Sequence, residues 1–146
     1  MDAFQILSKD HRTVEQLFEK IEKADNRGTK HREQLFQNLR QELELHAELE
    51  EKIFYPEMKK HAGTKGLVGE ALEEHGEVKQ MLREIGRLSA EEDQWSEMVN
   101  ELKMAVQHHV REEEERMFPA ARKELDKRRQ DELGQQIHDM KQKASA

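Results

Sequence analysis

The 146-residue sequence has no cysteine, which excludes disulfides, thiolate zinc sites and cysteine-ligated clusters. It has no long apolar run either; the longest spans two or three residues. Neither a signal peptide nor a spanning helix is therefore expected, and the default compartment is cytoplasmic. Basic charge is in deficit, with 25 Lys and Arg against 32 Asp and Glu and a formal charge of −7. That balance argues against nucleic-acid or anionic-membrane partners, because phosphates need a basic patch. Prolines number two and glycines seven, and β-branched residues are scarce, so strands are not expected. Leu, Ile, Val and Phe together make up only 30 of 146 residues, and the mean hydropathy is −1.09. Such values approach the roughly 20% typical of disordered chains. The length suits one domain with a modest core. Composition leaves order open, and spacing resolves it.

Apolar residues recur at intervals of three and four. The first segment offers Leu7, Val14, Leu17 or Phe18, and Ile21; the second Leu35, Leu39, Leu43 and Ile53. The third offers Val68, Ala71, Val78, Leu82 and Ile85, and the fourth Trp95, Val99, Leu102, Val106 and Met117. This is the pattern of four amphipathic helices. Breaks are expected at Asn26-Arg27-Gly28-Thr29 and Gly63-Thr64-Lys65-Gly66, and Ser89-Ala90-Glu91-Glu92 reads as a capping box opening the fourth helix. Short connections favour antiparallel neighbours, so the spacing predicts an all-α, up-down-up-down four-helix bundle over residues 1–125. Residues 126–146 carry a thin stripe, Leu133, Ile137 and Met140, and read as a short tail helix or a frayed end.

The gaps in the stripes hold His11, His46, Glu50, His75, His109 and Glu113. Each helix places one histidine among its core positions, and the second and fourth add a glutamate four residues on, on the same face. At about 1.5 Å per residue, His11 and His46 sit ~20 and ~24 Å from their shared turn, so antiparallel packing sets them side by side. The junction of the second and third helices fits less well. Pro56, which kinks or ends a helix, restores the match if the bundled part stops near it. An internal repeat supports one cluster: residues 46–56 overlay 109–119 at an offset of 63, and residues 7–17 overlay 71–81 at 64. Two helical hairpins related by a pseudo-twofold axis predict two equivalent half-sites.

Two buried carboxylates without partners would cost several kcal/mol each or force protonation. No lysine or arginine falls on the stripes, so the counter-charge is imidazolium or metal. A His–Glu network without metal is the plain alternative. Imidazole with carboxylate suits iron, manganese or zinc. Six ligands exceed what one tetrahedral zinc takes and suit two metals sharing bridging carboxylates. The order His-x-x-x-Glu differs from the Glu-x-x-His of ferritin-like bundles.

The elements Asp10-His11-Arg12, His46-x-x-x-Glu50-Glu51 with Phe54-Tyr55-Pro56, Glu74-His75, and His108-His109-x-x-x-Glu113-Glu114 with Phe118-Pro119 resemble the hemerythrin-like, or HHE cation-binding, domain over residues 3 to 125. The resemblance implies two iron ions, oxo- or hydroxo-bridged, one held by His11 and His46 and the other by His75 and His109, with Glu50 and Glu113 bridging. Oxygen carriers of the family have a further histidine where this chain has Lys79. They also place an aspartate five residues after the fourth-helix histidine, where this chain offers Glu113 at four and Glu114 at five. A more open and symmetric site is implied, favouring small-molecule redox chemistry or sensing over reversible carriage. Lys79, Tyr55 and Glu114 are the expected surrounding residues, Tyr55 at the edge of the site. The expected function is binding of O2 or a related oxidant, peroxide or nitric oxide, for sensing, storage or stress response. The alternatives are an enzyme turning over peroxide or nitric oxide, and an iron-responsive module whose folding reports metal. The oligomeric state stays open.

Overall fold

The computed structural model describes residues 1–24 and 28–145; part of the expected break at 26–29 lies outside the described residues. Helix α1 (Ala3–Lys23) begins at Asp2, whose carboxylate accepts the Gln5 N–H while the Gln5 side chain accepts the Asp2 N–H, both at 2.9 Å. This reciprocal cap satisfies two N–H groups that the first turn leaves orphaned. Helix α2 (Thr29–Leu49) follows Gly28, whose φ of 100° is open to glycine at little cost. It runs without a break through a π-helical turn (Glu50–Phe54) into the short α3 (Tyr55–Met58). After α4 (Ala62–Gly86), the fourth rod repeats the design: α5 (Asp93–Glu112), a π-helical turn (Glu113–Met117) and α6 (Phe118–Glu124). Helix α7 (Lys127–Ser145) closes the chain. The described residues contain no strand, and none of their helices is long and apolar enough to cross a membrane.

The π turns fall at equivalent points of the repeat, just before Pro56 and Pro119. In an α-helix the proline ring strikes the carbonyl four residues back. Here the Tyr55 N–H bonds the Glu50 carbonyl and the Phe118 N–H the Glu113 carbonyl, five residues back. The wider turn absorbs the proline, so the second rod passes through Pro56 and ends at Met58.

Two apolar clusters show that neighbouring rods are antiparallel. At one end Phe4 and Leu7, early in α1, pack with Phe54 and Met58, with Val68 and Ala71, and with Met117, Phe118 and Ala121. At the other end Val14, Phe18 and Ile21, later in α1, meet Phe36, Leu39, Leu82, Ile85, Trp95 and Val99. Start meets end around the bundle, which is the up-down-up-down arrangement expected. Between the clusters lies a buried polar layer: Asp10, His11, His46, Glu50, His75, His109 and Glu113.

One local expectation changes, and one alternative is resolved. The Glu92 carboxylate accepts the Ser89 N–H at 2.7 Å, yet the helix opens only at Asp93. Ala90 is instead drawn into the hairpin junction, its carbonyl taken by Arg32 at 3.0 Å and its N–H by Glu33 at 2.9 Å. The C-terminal segment is helical rather than frayed, and Leu133 and Ile137 are buried in the first cluster. Arg129 clamps Glu57 at 2.6 Å, and Lys141 pairs with Asp10.

Gly134 lets α7 lie directly on the N-terminal backbone, where a Cβ would sit 2.4 Å from the Met1 carbonyl oxygen and 2.8 Å from the Asp2 carbonyl carbon. Ala exceeds Gly in helix propensity by about 1 kcal/mol, but backbone atoms cannot step aside as a flexible side chain can. Gly134→Ala is therefore expected to destabilise the protein by about 1–3 kcal/mol in urea unfolding. A gain in stability would contradict this docking.

Candidate metal centre

All six stripe residues converge in the polar layer. His11, His46, Glu50 and Glu113 present ligand-capable atoms within 4.8 Å of one another, and Glu50, His75 and His109 do the same. Glu50 belongs to both groups. Its Oε1 lies 3.3 Å from His46 Nε2 and 3.0 Å from His75 Nε2. Glu113 spans the halves as well, with Oε1 3.2 Å from His11 Nε2 and Oε2 3.4 Å from His109 Nε2. The histidine rings pair within each half, His11 with His46 at 4.9 Å and His75 with His109 at 4.8 Å between centroids.

A closed ring of carboxylates orients the histidines from behind. Asp10 of α1 faces His46 Nδ1 at 3.1 Å, Glu51 faces His75 Nδ1 at 2.7 Å, Glu74 of α4 faces His109 Nδ1 at 2.7 Å, and Glu114 faces His11 Nδ1 at 2.6 Å. Each rod thus steadies the histidine of the next, leaving every Nε2 directed at the centre. The carboxylates are braced in turn: Asp10 by Lys141, Glu51 by Lys79 at 3.1 Å, and Glu114 by Arg12 at 2.7 Å. Lys79 therefore stands behind Glu51, outside the cavity lining. Sequence reasoning assigned no role to Asp10, Glu51 and Glu74. The available signal was their adjacency to a stripe residue, repeated in both hairpins; a neighbour about 100° round the helix faces the next helix.

Tyr55 was expected at the edge and lies at the centre. Its hydroxyl donates to Glu113 Oε2 at 2.5 Å and lies 3.2 Å from Glu50 Oε1, 3.3 Å from His75 Nε2 and 3.4 Å from His109 Nε2. On an α-helix, residues five apart diverge by ~140°. The π turn inserts one residue, so Tyr55 takes the position that an i+4 residue would hold relative to Glu50. Its repeat partner Phe118 stacks on His11 at 6.1 Å with a 5° interplanar angle. The two halves thus differ in one hydroxyl.

Burial works against charge on the histidines, but Glu50 and Asp10 override it and push His46 up to about 10. Glu113 and Glu50 do the same for His109, to about 12. Burial tends to raise the Glu50 carboxyl, yet the charge of His46 holds it well below the usual carboxylate range. Burial and the two glutamates push Tyr55 well above the usual phenol range, so its hydroxyl stays a donor. Four central atoms find no hydrogen-bond partner: His11 Nε2, His46 Nε2, Glu50 Oε2 and Glu113 Oε1. Buried polar atoms are rarely orphaned, and these four face one another across the layer. Imidazole nitrogens and carboxylate oxygens left open in this way fit a bound metal cation.

Above the layer lies a cavity of ≈ 40 Å³, lined by the four histidines and by Val14, Leu43, Ala47, Val78, Val106 and Val110. A water needs about 10–15 Å³ in such a measure, so the space takes a molecule of a few atoms.

Comparisons with known proteins agree with this picture. The sequence profile of the hemerythrin HHE cation-binding domain matches residues 2–121. A hemerythrin HHE cation-binding domain-containing protein from Mycobacterium kansasii, known from a crystal structure, superposes with a TM-score of 0.83 at 26% identity, covering 97% of this chain and 86% of that one. Among curated proteins, a DNA nickase of Nostoc sp. is 29% identical over 125 residues, 86% of this chain and 35% of its own length. An uncharacterised hemerythrin-like protein of Schizosaccharomyces pombe is 30% identical over 119 residues, 80% of this chain and 58% of its own. The chain thus spans about a third and somewhat over half of the length of these two relatives.

The proton balance of the centre predicts a pH signature. Folded His46 and His109 hold protons that the unfolded chain surrenders above about pH 6.5, the ordinary histidine value. Their contribution to stability is complete below that pH and is lost as pH rises, through about 10 for His46 and about 12 for His109. The lowered Glu50 contributes above its ordinary 4.5 and loses its contribution as pH falls. Metal-free protein should therefore melt at progressively lower temperature from pH 6.5 to 9. Metal-loaded protein should hold its melting temperature, because the cation replaces the protons. Calorimetry of both forms checks this, and identical slopes would contradict it.

Proposed function

The chain belongs to the hemerythrin HHE cation-binding domain family, and we propose that its centre holds two iron ions and binds O2 or a related small oxidant, peroxide or nitric oxide, in sensing, storage or stress response. The observation that carries this reading is the group of orphaned atoms on His11, His46, Glu50 and Glu113, beside a second group of ligand-capable atoms that Glu50 makes with His75 and His109. In this assignment His11 and His46 would hold one iron and His75 and His109 the other, with Glu50 and Glu113 as ligands available to both. Six nitrogen and oxygen ligands exceed the need of one tetrahedral zinc, and the absence of cysteine removes the softer metals. Bound iron supplies open coordination positions and a redox couple. The chain's own part is to exclude water with the valine-rich cavity wall, to keep each Nε2 aimed inward through the carboxylate ring, and to hold a proton on Tyr55 beside Glu113.

Tyr55 also supports the enzyme reading, turnover of peroxide. Its hydroxyl lies within 3.4 Å of Glu113, Glu50, His75 and His109, so it stands within reach of a molecule bound at the centre as a hydrogen-bond donor or proton source, which simple binding does not require. The protein called a DNA nickase matches this chain over only 35% of its length, and the formal charge of −7 supports a small-molecule partner over a phosphate backbone.

Metal content and optical spectra test the proposal, on protein reduced without oxygen and then exposed to it. The expected outcome is two irons per chain and new charge-transfer bands on oxygen exposure; folded protein that takes up no iron contradicts it. Bands that reverse on deoxygenation favour a sensor or store, and steady consumption of peroxide favours the enzyme. Tyr55→Phe should keep both irons and, in the enzyme case, slow peroxide turnover by about 10²-fold, the usual scale of general acid catalysis.

A further inference from the structure

The braces behind the carboxylate ring come from two sources. Lys79 of α4 holds Glu51, Arg12 of α1 holds Glu114, and exposed His108 of α5 meets Glu74 at 3.2 Å. These three belong to the four rods. Asp10 is held from outside them, by Lys141 of α7. Its carboxylate is divided between two tasks: Oδ1 pairs with the Lys141 ammonium, and Oδ2 faces His46 Nδ1 at 3.1 Å. One buried group thus joins an outer helix to an imidazole whose Nε2 is among the orphaned atoms of the centre.

The end of α7 depends on this contact. The helix runs against α1, α2 and the π turn that begins at Glu50, and its buried positions are Leu133, Gly134 and Ile137. Arg129 fixes its start to Glu57. Beyond Ile137, Met140 is the apolar side chain that reaches the first cluster. Among the described residues, Lys141–Asp10 is the one hydrogen bond or ion pair that ties this stretch to the rest of the fold. A cavity of ≈ 600 Å³ opens beside it, lined by Asp10, Thr13 and Glu42 of the rods and by His138, Lys141 and Gln142 of α7. Few apolar contacts and a single polar anchor place this segment at the low-stability end of the molecule.

We propose that Lys141 is a positioning residue for the centre, and that docking of the α7 end is coupled to metal occupancy of the His11–His46 half through Lys141, Asp10 and His46. The inference rests on the reading of the centre as a metal site. Lys141 fixes the Asp10 carboxylate and Asp10 fixes the His46 ring, so Nε2 is aimed before a cation arrives. A carboxylate behind a metal-binding imidazole carries about 10–100-fold in affinity. Lys141 stands one contact further out, and its share is about tenfold, the lower end of that range. By linkage the cation tightens the docking of α7 by the same factor. Occupancy of a buried site thereby becomes order at the surface, in residues 138–145. The His75–His109 half lacks this connection, because Glu51 and Glu74 are held from within the rods.

Cobalt(II) titration of metal-free protein under argon, combined with amide hydrogen exchange, tests the coupling. Wild-type protein should bind two Co²⁺, and binding should slow exchange at residues 138–145 by about tenfold. Lys141→Met keeps the aliphatic stem and removes the charge. It should bind one Co²⁺ at wild-type affinity and the other about tenfold more weakly. Its exchange at 138–145 should no longer respond to metal, and Lys141→Arg should restore both properties. A merely structural role would not divide the two sites. A Lys141→Met protein whose two affinities are unchanged or fall together therefore overturns the proposal, as does wild-type exchange that ignores bound metal. Wild-type protein that takes up no Co²⁺ overturns the reading of the centre and the coupling with it.

Discussion

Two carboxylates, Glu50 and Glu113, sit at 0% and 1% exposure in the middle of a bundle, and most other features of the centre answer that fact. Removing an ion from water costs several kcal/mol even after the surroundings relax. A chain with so few large apolar residues has little stability from burial to spare. Four imidazoles surround the pair, and four outer carboxylates orient those imidazoles. In metal-free protein the charge of the two carboxylates holds protons on His11, His46 and His109. The open Nε2 and Oε atoms suit the centre to exchange protons for cations.

The same constraint shapes the backbone. Each π turn begins at a central glutamate and precedes a proline, so the break in helical register coincides with the polar layer. The two apolar clusters hold the ends of the bundle while the layer between them is set by hydrogen bonds and charge. Repeat symmetry would make the halves identical, but Tyr55 against Phe118 breaks it at the centre, and Lys141 of α7 against exposed His108 breaks it outside. One half has a phenyl ring stacked on His11, and the other a hydroxyl beside His75 and His109.

Sequence periodicity revealed the rods and the six converging residues because a histidine or glutamate in an apolar stripe is a gap that helical spacing makes visible. The register change was not visible: an extra residue per turn leaves no mark on composition, so Tyr55 was placed as if the helix were regular. Asp10, Glu51 and Glu74 escaped for a related reason, since their meaning lies in which histidine of the neighbouring rod they meet. Helix α7 showed only a thin stripe, and its three residues, Leu133, Ile137 and Met140, are the side chains that pack into the first cluster, while Gly134 lies against the N-terminal backbone. The capping signal at Ser89–Glu92 was real as a hydrogen bond but lost the helix start to the contacts that Arg32 and Glu33 make with Ala90.

Anomalous diffraction at the iron absorption edge, from crystals of iron-loaded protein, tests the central claim most directly. The account predicts two peaks per chain in the buried layer, one against His11 and His46 and one against His75 and His109, with Glu50 and Glu113 between them. A single peak, or density that leaves the Nε2 atoms bonded only to the two glutamates, would contradict it.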